Sequence, residues 1–313
     1  MKGSVIRFQF IIPLVGLLLM TACSDISDSG VPITIPSQED DECCSLIEET
    51  ETQSFLSKLS EVTQLSQSIG DYTIRVYSSR AELIVGYNDI YFAVEKNVSG
   101  RHVKDIEFSE LQPLMTMNMS GMAMQHSTPI AEGFEQVVTS PIYHTWISLL
   151  MASNEENGDI WELSYRYRVK EFSGVKNHLQ FPVKALPEGQ TILKSFKYGD
   201  TTYYLSLAAV ESLVVGDNVI KAYVSKQSAD KKTPYAQADQ KFTIDTYPTM
   251  PDMGNHTSPN NEPLTLQDDG SYQGKLNLTM TGIWDIHLHV KDAAGKTVAG
   301  GELLSDLYWT ISI

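Results

Sequence analysis

The chain has 313 residues and a formal net charge of −16, from 39 acidic and 23 basic side chains, a length that suggests about two domains and an acidic excess that argues against nucleic acid as a partner. With 42% hydrophobic and 20% charged residues the composition is globular. Three cysteines, all before residue 45, exclude a disulfide scaffold for the body, and no apolar run reaches the roughly 18 residues of a spanning helix.

Lys2 and Arg7 precede an apolar run from Phe8 to Met20, and Met20-Thr21-Ala22-Cys23 follows. A basic start, a short apolar stretch and small residues before a cut site describe a secretory signal over residues 1–22. The ending on Cys23 resembles the bacterial lipobox. That resemblance implies cleavage before Cys23, lipidation of its thiol and anchoring to a bacterial membrane without spanning it. The expected location is the cell envelope, outside the cytoplasm.

Residues 23–44 are rich in Ser, Asp, Pro and Glu and read as a flexible tether. Cys43 and Cys44 at its end could ligate a soft metal, crosslink to a partner or stand as two plain thiols at a helix start. Over 45–70 the apolar residues Leu46, Ile47, Phe55, Leu59, Val62 and Ile69 recur at helical spacing. Glu48, Glu49 and Glu51 suit the positive end of a helix, and Gly70 supplies a stop.

From Asp71 the helical period ends. Short segments rich in β-branched and aromatic residues follow, among them Tyr72–Val76, Ala81–Val85, Ile90–Val94, Ile142–Leu150, Ile160–Val169, Tyr203–Ala208 and Trp284–Val290, punctuated by Gly, Asn, Asp and Pro. The expected fold is all-β, with β-sandwiches behind one helix and a tether. The β region also repeats. Val85-Gly86-Tyr87-Asn88-Asp89-Ile90 resembles Val215-Gly216-Asp217-Asn218-Val219-Ile220, and a Met-rich stretch ends in His126 in the first half and His256 in the second. Both pairs are separated by about 130 residues, as two copies of one unit require. Met151 and Trp161 further resemble Met280 and Trp284. Two tandem sandwiches are therefore expected, at 71–187 and 188–313.

The strongest chemical signal is Met115-Thr116-Met117-Asn118-Met119-Ser120-Gly121-Met122-Ala123-Met124-Gln125-His126. Five Met fall within ten residues, where a background of roughly 2% gives well under one. In extended chain, alternate residues share a face. Met115, Met117 and Met119 then point one way, Gly121 permits a bend, and Met122, Met124 and His126 share a face in turn. Thioethers are soft neutral ligands that select Cu(I), and imidazole completes such sites. No acid interrupts the stretch, so a hard ion such as Ca²⁺ has nothing to bind. The second half offers Met250, Met253 and His256 at intervals of three, on a loop bent by Pro251 and Gly254, with Met280 on a later strand. A packing role competes for all of these, since Met fills irregular core space well. The interleaved Thr, Asn, Ser and Gln weigh against it in the first cluster, whereas Met280 and Met151 sit among apolar neighbours. His287 and His289 alternate with Ile286, Leu288 and Val290 and are assigned to a solvent face. His102, His144 and His178 have no partner nearby in sequence and are read as surface or packing residues.

The second-half loop Met250-Pro251-x-Met253-Gly254-x-His256 is followed by Gly270-Ser271-Tyr272 and then by Met280-x-Gly282-x-Trp284-x-Ile286. In that order these residues resemble the YtkA-like domain, related to FixH-like proteins, of bacterial exported proteins. The resemblance runs from Asn218 to the C-terminal strand. It implies an immunoglobulin-like sandwich and a copper-related role outside the cytoplasm. The first copy resembles the Met-rich variant of Bacteroidota-type lipoproteins, although it lacks the Pro between its Met residues.

No Gly-rich phosphate loop, Gly-x-Ser-x-Gly elbow or His-Glu-x-x-His helix is present. Glu155-Glu156 and Asp268-Asp269 sit in apparent turns beside Gly, so the chain is not expected to be an enzyme. The leading expectation is a lipid-anchored copper(I)-binding protein that sequesters the ion or exchanges it with a copper-donor or copper-acceptor protein. The competing expectation is a tandem immunoglobulin-like surface module that binds glycans or mediates adhesion. That role needs coplanar exposed aromatics, whereas the four Trp lie in patterns that look buried.

Overall fold

The segment Leu46–Leu56 is the helix. Ser45 caps it reciprocally: its Oγ accepts from the Glu48 N–H at 3.3 Å, and the Glu48 carboxylate accepts from the Ser45 N–H at 2.8 Å. The Lys104 ammonium, followed by this cap, draws the Glu48 carboxyl down to about 2. The helix ends well short of the predicted 45–70. Beyond it, Ser60–Glu61 and Gln67–Ile69 are short strands on Tyr72–Ser78. Serine side chains compete for backbone hydrogen bonds here: Ser57 Oγ donates to the Ser54 carbonyl at 2.9 Å, and Ser66 Oγ accepts from the Val76 N–H at 3.1 Å. Leu65 and Ile69 then serve the sheet core.

This computed structural model describes residues 45–119, 121–137, 141–187, 189–208, 213–301 and 307–313. The signal segment, the tether, Cys23, Cys43 and Cys44 lie outside the described residues. Everything described belongs to one unit, Glu39–Ile313, and is mostly β, in antiparallel sheets.

In the first half, one sheet runs Ser60–Glu61, Tyr72–Ser78, Gly86–Lys96, Tyr143–Leu149 and Glu135–Gln136, with Gln67–Ile69 also on Tyr72–Ser78. A second runs Phe172–Phe181, Ile160–Val169, Ile106–Met119 and Met122–His126. Strict alternation in Tyr72–Ser78 turns every second residue inward. Ile74, Phe92 and Val94 of the first sheet share one core with Phe108, Met115, Trp161 and Tyr165 of the second. Phe92 lies 4.9 Å from Phe108 and 5.1 Å from Tyr165, ring centre to ring centre. Ala81–Val85, predicted as a strand, contributes a single bridge from Ile84 to Lys184. Ile106–Met119 is one long strand despite Pro113, because a register shift between Ser109 and Gln112, with Glu110 at φ 53°, re-aims the chain beforehand.

The second half forms one ten-stranded sheet, in the order Leu193–Tyr198, Thr201–Ala208, Gly216–Lys226, Tyr272–Leu278, Glu262–Leu266, Thr243–Met250, Ile283–Lys291 and Thr297–Ala299. His256–Thr257 and Tyr308–Ser312 pair at the side. Two separate facing sheets were expected here. Glu262–Leu266 joins them, because it pairs with Tyr272–Leu278 on one side and with Thr243–Met250 on the other. The sheet curls until it is nearly closed, around Leu205, Tyr272, Trp284, Leu288 and Trp309.

The two halves use the same local clamp. Asn88 Oδ1 accepts from the Ile84 N–H while its Nδ2 donates to the carbonyls of Ile84 and Gly86. Asn218 does the same with Val214 and Gly216. Gly86 and Gly216 stand at φ 104° and 108°, a region open to glycine. The halves also touch directly: Tyr87 and Trp146 enter the second-half core, and Ser206 Oγ lies 2.6 Å from Ser148 Oγ.

Candidate metal centre

The first Met-rich stretch is a β-hairpin. Ile106–Met119 and Met122–His126 pair with Met115 opposite His126, Met117 opposite Met124, and Met119 opposite Met122. Gly121, at φ 85°, makes the reversal. Residues directly opposite in an antiparallel pair project to the same side. Met115, Met117, Met122, Met124 and His126 thus share one face of the hairpin, which the alternation in sequence anticipated separately for each strand.

This row runs from core to solvent. Met115 is fully buried and Met117 half-buried against the same core, while Met124 and Met122 are 47% and 68% exposed. Met115 therefore has a packing role that its polar neighbours concealed. His126 sits at the buried end, across from Met115. Its Nδ1 donates to the Ser127 carbonyl at 2.8 Å, which leaves the lone pair of the neutral ring on Nε2. Burial holds its pKa below the ordinary histidine value. A neutral imidazole with one committed nitrogen is the form a metal needs. Its ring meets Trp161 edge-on, centroids 5.6 Å apart.

The second cluster is built differently from similar parts. Met250, buried, stands opposite His256 in register. Between them Pro251–Met253 makes a 3-10 turn ended by Gly254 at φ 65° and Asn255 at φ 60°. Met253 on that turn is 54% exposed, and His256 is exposed as well. The His256 ring lies 6.4 Å from Trp284, whose Nε1–H donates to the Met280 carbonyl at 3.1 Å. Met280 is half-buried against the core. The Met250 methyl lies so close to Gly282 that an added Cβ there would meet it at 2.5 Å.

Trp161 repeats this arrangement, since its Nε1–H donates to the Met151 carbonyl at 2.9 Å. In each half a cross-strand Met–His pair adjoins a Trp that is tied to a second Met. The sequence repeat pairs Met151 and Trp161 with Met280 and Trp284, although Met151 stands ten residues before its Trp and Met280 only four. Among the described residues, no three His, Cys, Asp or Glu side chains gather into a metal-holding group, so the thioethers dominate the available donor set.

Four of the five remaining histidines have partners that sequence spacing concealed. His102 is fully buried, with its Nδ1 2.8 Å from Glu49 of the helix and its Nε2 3.8 Å from Glu95. His144 Nε2 lies 2.8 Å from Asp89, and His178 Nδ1 lies 2.9 Å from Glu162. His287 Nε2 stands 3.0 Å from Thr249 Oγ1.

No curated protein matches the chain. Among solved structures it is similar to a DUF4785 family protein from Legionella pneumophila, at 9% identity and a TM-score of 0.22, over 77% of this chain and 57% of that one. It is also similar to a Corynebacterium diphtheriae protein described as a candidate membrane-anchored protein, at 9% identity and a TM-score of 0.20, over 82% of this chain and 56% of that one. The chain thus spans little more than half the length of either structure, and likenesses this faint carry no argument about either half. Residues 198–289, which hold Met250, Met253, His256, Met280 and Trp284, match the family model described as YtkA-like, so the second half contains a YtkA-like domain.

Proposed function

We propose that this chain is a lipid-anchored, extracytoplasmic copper(I)-binding protein that sequesters the ion or exchanges it with a partner protein. One observation carries the reading: the strand register that sets Met117, Met122 and Met124 beside His126 on one hairpin face, with Met119 paired to Met122. The donor chemistry fits Cu(I), because thioethers and a neutral imidazole bind it without first losing a proton. A graded row from buried Met115 to exposed Met122 offers an entry at the tip and a retained position at the base. The second site, Met250, Met253, His256 and Met280, lies within the YtkA-like match.

The matching Asn88 and Asn218 clamps, and the matching Trp161 and Trp284 contacts, support the two halves as tandem copies of one antiparallel β unit, which the second half closes further into a single sheet. The lipobox-like Met20–Cys23 supports anchoring at Cys23, which places the domains on the periplasmic or outer side of a bacterial membrane. The reading requires no catalysis. A Cu(I) titration against a competing chelator under reducing conditions tests it. Retention of copper by the full chain, and loss of the first site's share on replacing Met117, Met119, Met122, Met124 and His126 together, is the expected result. Equal stoichiometry in both proteins removes the first site.

A further inference from the structure

A groove of about 940 Å³ lies where the two halves meet, within the size range of small-ligand sites, which favour domain junctions. Its floor is aromatic and comes from both halves. Tyr87 stacks on Tyr223 at an interplanar angle of 1° with centroids 5.7 Å apart, and Trp146 lies 4.5 Å from Tyr223. Asp89 stands on one side, its Oδ1 accepting from the Tyr87 hydroxyl at 2.7 Å and meeting His144 Nε2 at 2.8 Å.

The groove already contains one example of the chemistry it favours. Lys221 Nζ stands 5.3 Å from the centre of the Tyr223 ring and 3.0 Å from Asp269. An ammonium is held there between an aromatic ring and a carboxylate, an attraction that strengthens as water is excluded. At the rim, Glu132, Glu135 and Asp268 are exposed, and none forms an ion pair among the described residues. Asp89, Asp269 and these three carboxylates outnumber Lys221 in the lining, so an anionic ligand is repelled. A neutral sugar finds no broad open ring to stack on, because Tyr87 and Trp146 are only 5% and 6% exposed.

We propose that this groove binds a small organic cation of the polyamine class, an aliphatic body carrying two or more ammonium groups. The body lies along the aromatic edges and the ammonium groups reach the rim carboxylates. The groove shares no residue with either Met–His cluster, so the inference stands apart from the copper reading. Calorimetric titration of the full chain with spermidine tests it, alongside a rim variant, Glu132→Gln/Glu135→Gln/Asp268→Asn. A charge-matched control, Glu155→Gln/Glu156→Gln/Glu171→Gln, alters residues that do not line the groove. One saturable site is expected, weakened about tenfold or more in the rim variant, or about 1.4 kcal/mol, and unchanged in the control. Absence of saturable binding overturns the proposal. So does equal weakening in both variants, which reveals only diffuse counterion attraction to an acidic surface. Binding of a neutral oligosaccharide in place of spermidine assigns the groove to glycans instead.

Discussion

The hairpin of the first half and the turn of the second assemble the same residue types by different routes. In the hairpin, Met115–His126 are held by continuous strand pairing, and the register alone decides which thioethers face one another. In the second half only Met250 and His256 are paired. Met253 rides on a 3-10 turn, and Met280 is tied in through the Trp284 indole. The first arrangement offers many equivalent donors along a ladder, whereas the second offers few donors fixed by backbone turns. A ladder tolerates the loss of one rung better than a turn tolerates the loss of its bend.

Copper binding should show the largest difference. Replacing Met117, Met119, Met122, Met124 and His126 together is expected to abolish first-site Cu(I) binding while circular dichroism remains that of a β protein, because Met115, the fully buried member, is kept. Any single exposed Met in the row, such as Met122→Leu, should cost far less. Oxidation to sulfoxide should release copper from both sites, since the sulfur lone pair gives way to a polar oxygen, with the difference read by competition titration.

Next in size are the tryptophans. Trp161 and Trp284 are both fully buried, so Trp→Ala at either is expected to cost about 3–5 kcal/mol in denaturant unfolding. Near-equal costs favour the tandem reading, and a cost confined to one half weakens it.

The histidine at the first site yields a pH test. Burial lowers the His126 pKa, so the folded state resists protonation while the unfolded chain titrates near the ordinary value of about 6.5. The stability this residue contributes is present above that value, declines as pH falls below it, and levels off beneath the lowered folded pKa. Thermal melts of wild type and His126→Gln between pH 7 and 5 should therefore converge as pH falls. By the same logic, first-site copper affinity should hold until the pH is below that of an ordinary histidine.

The smallest effects separate the two constructions. An added Cβ at Gly121 meets nothing within 4 Å, so Gly121→Ala should cost only the strain of φ 85°, about 1 kcal/mol, with little change in binding. Gly282→Ala also meets the Met250 methyl and is expected to weaken the second site selectively in the same titration.

Much of this architecture was legible from alternation. Tyr72–Val76 and Ile160–Val169 announced themselves by side-chain period, as did the shared face of Met115 and Met117, while the side chain of Met119 lies outside the described residues. Pairing between distant segments was not legible. No local signal in Glu262–Leu266 says that it joins two sheets into one, and Pro113 hid the length of Ile106–Met119. The apolar spacing over 45–70 fitted a long helix, because spacing alone does not register serines that divert backbone bonds. At the site, residue types were visible but burial was not. Polar neighbours suggested an open row, while the core took Met115. His102 and His144 found their carboxylates across the fold rather than along the chain.

Copper K-edge X-ray absorption of the full chain loaded with Cu(I) under reducing conditions tests the central claim most directly. The account predicts a sulfur-dominated first shell with an imidazole contribution, and loss of that contribution in His126→Gln/His256→Gln. A shell of nitrogen and oxygen alone, or a chain that retains no copper, contradicts it.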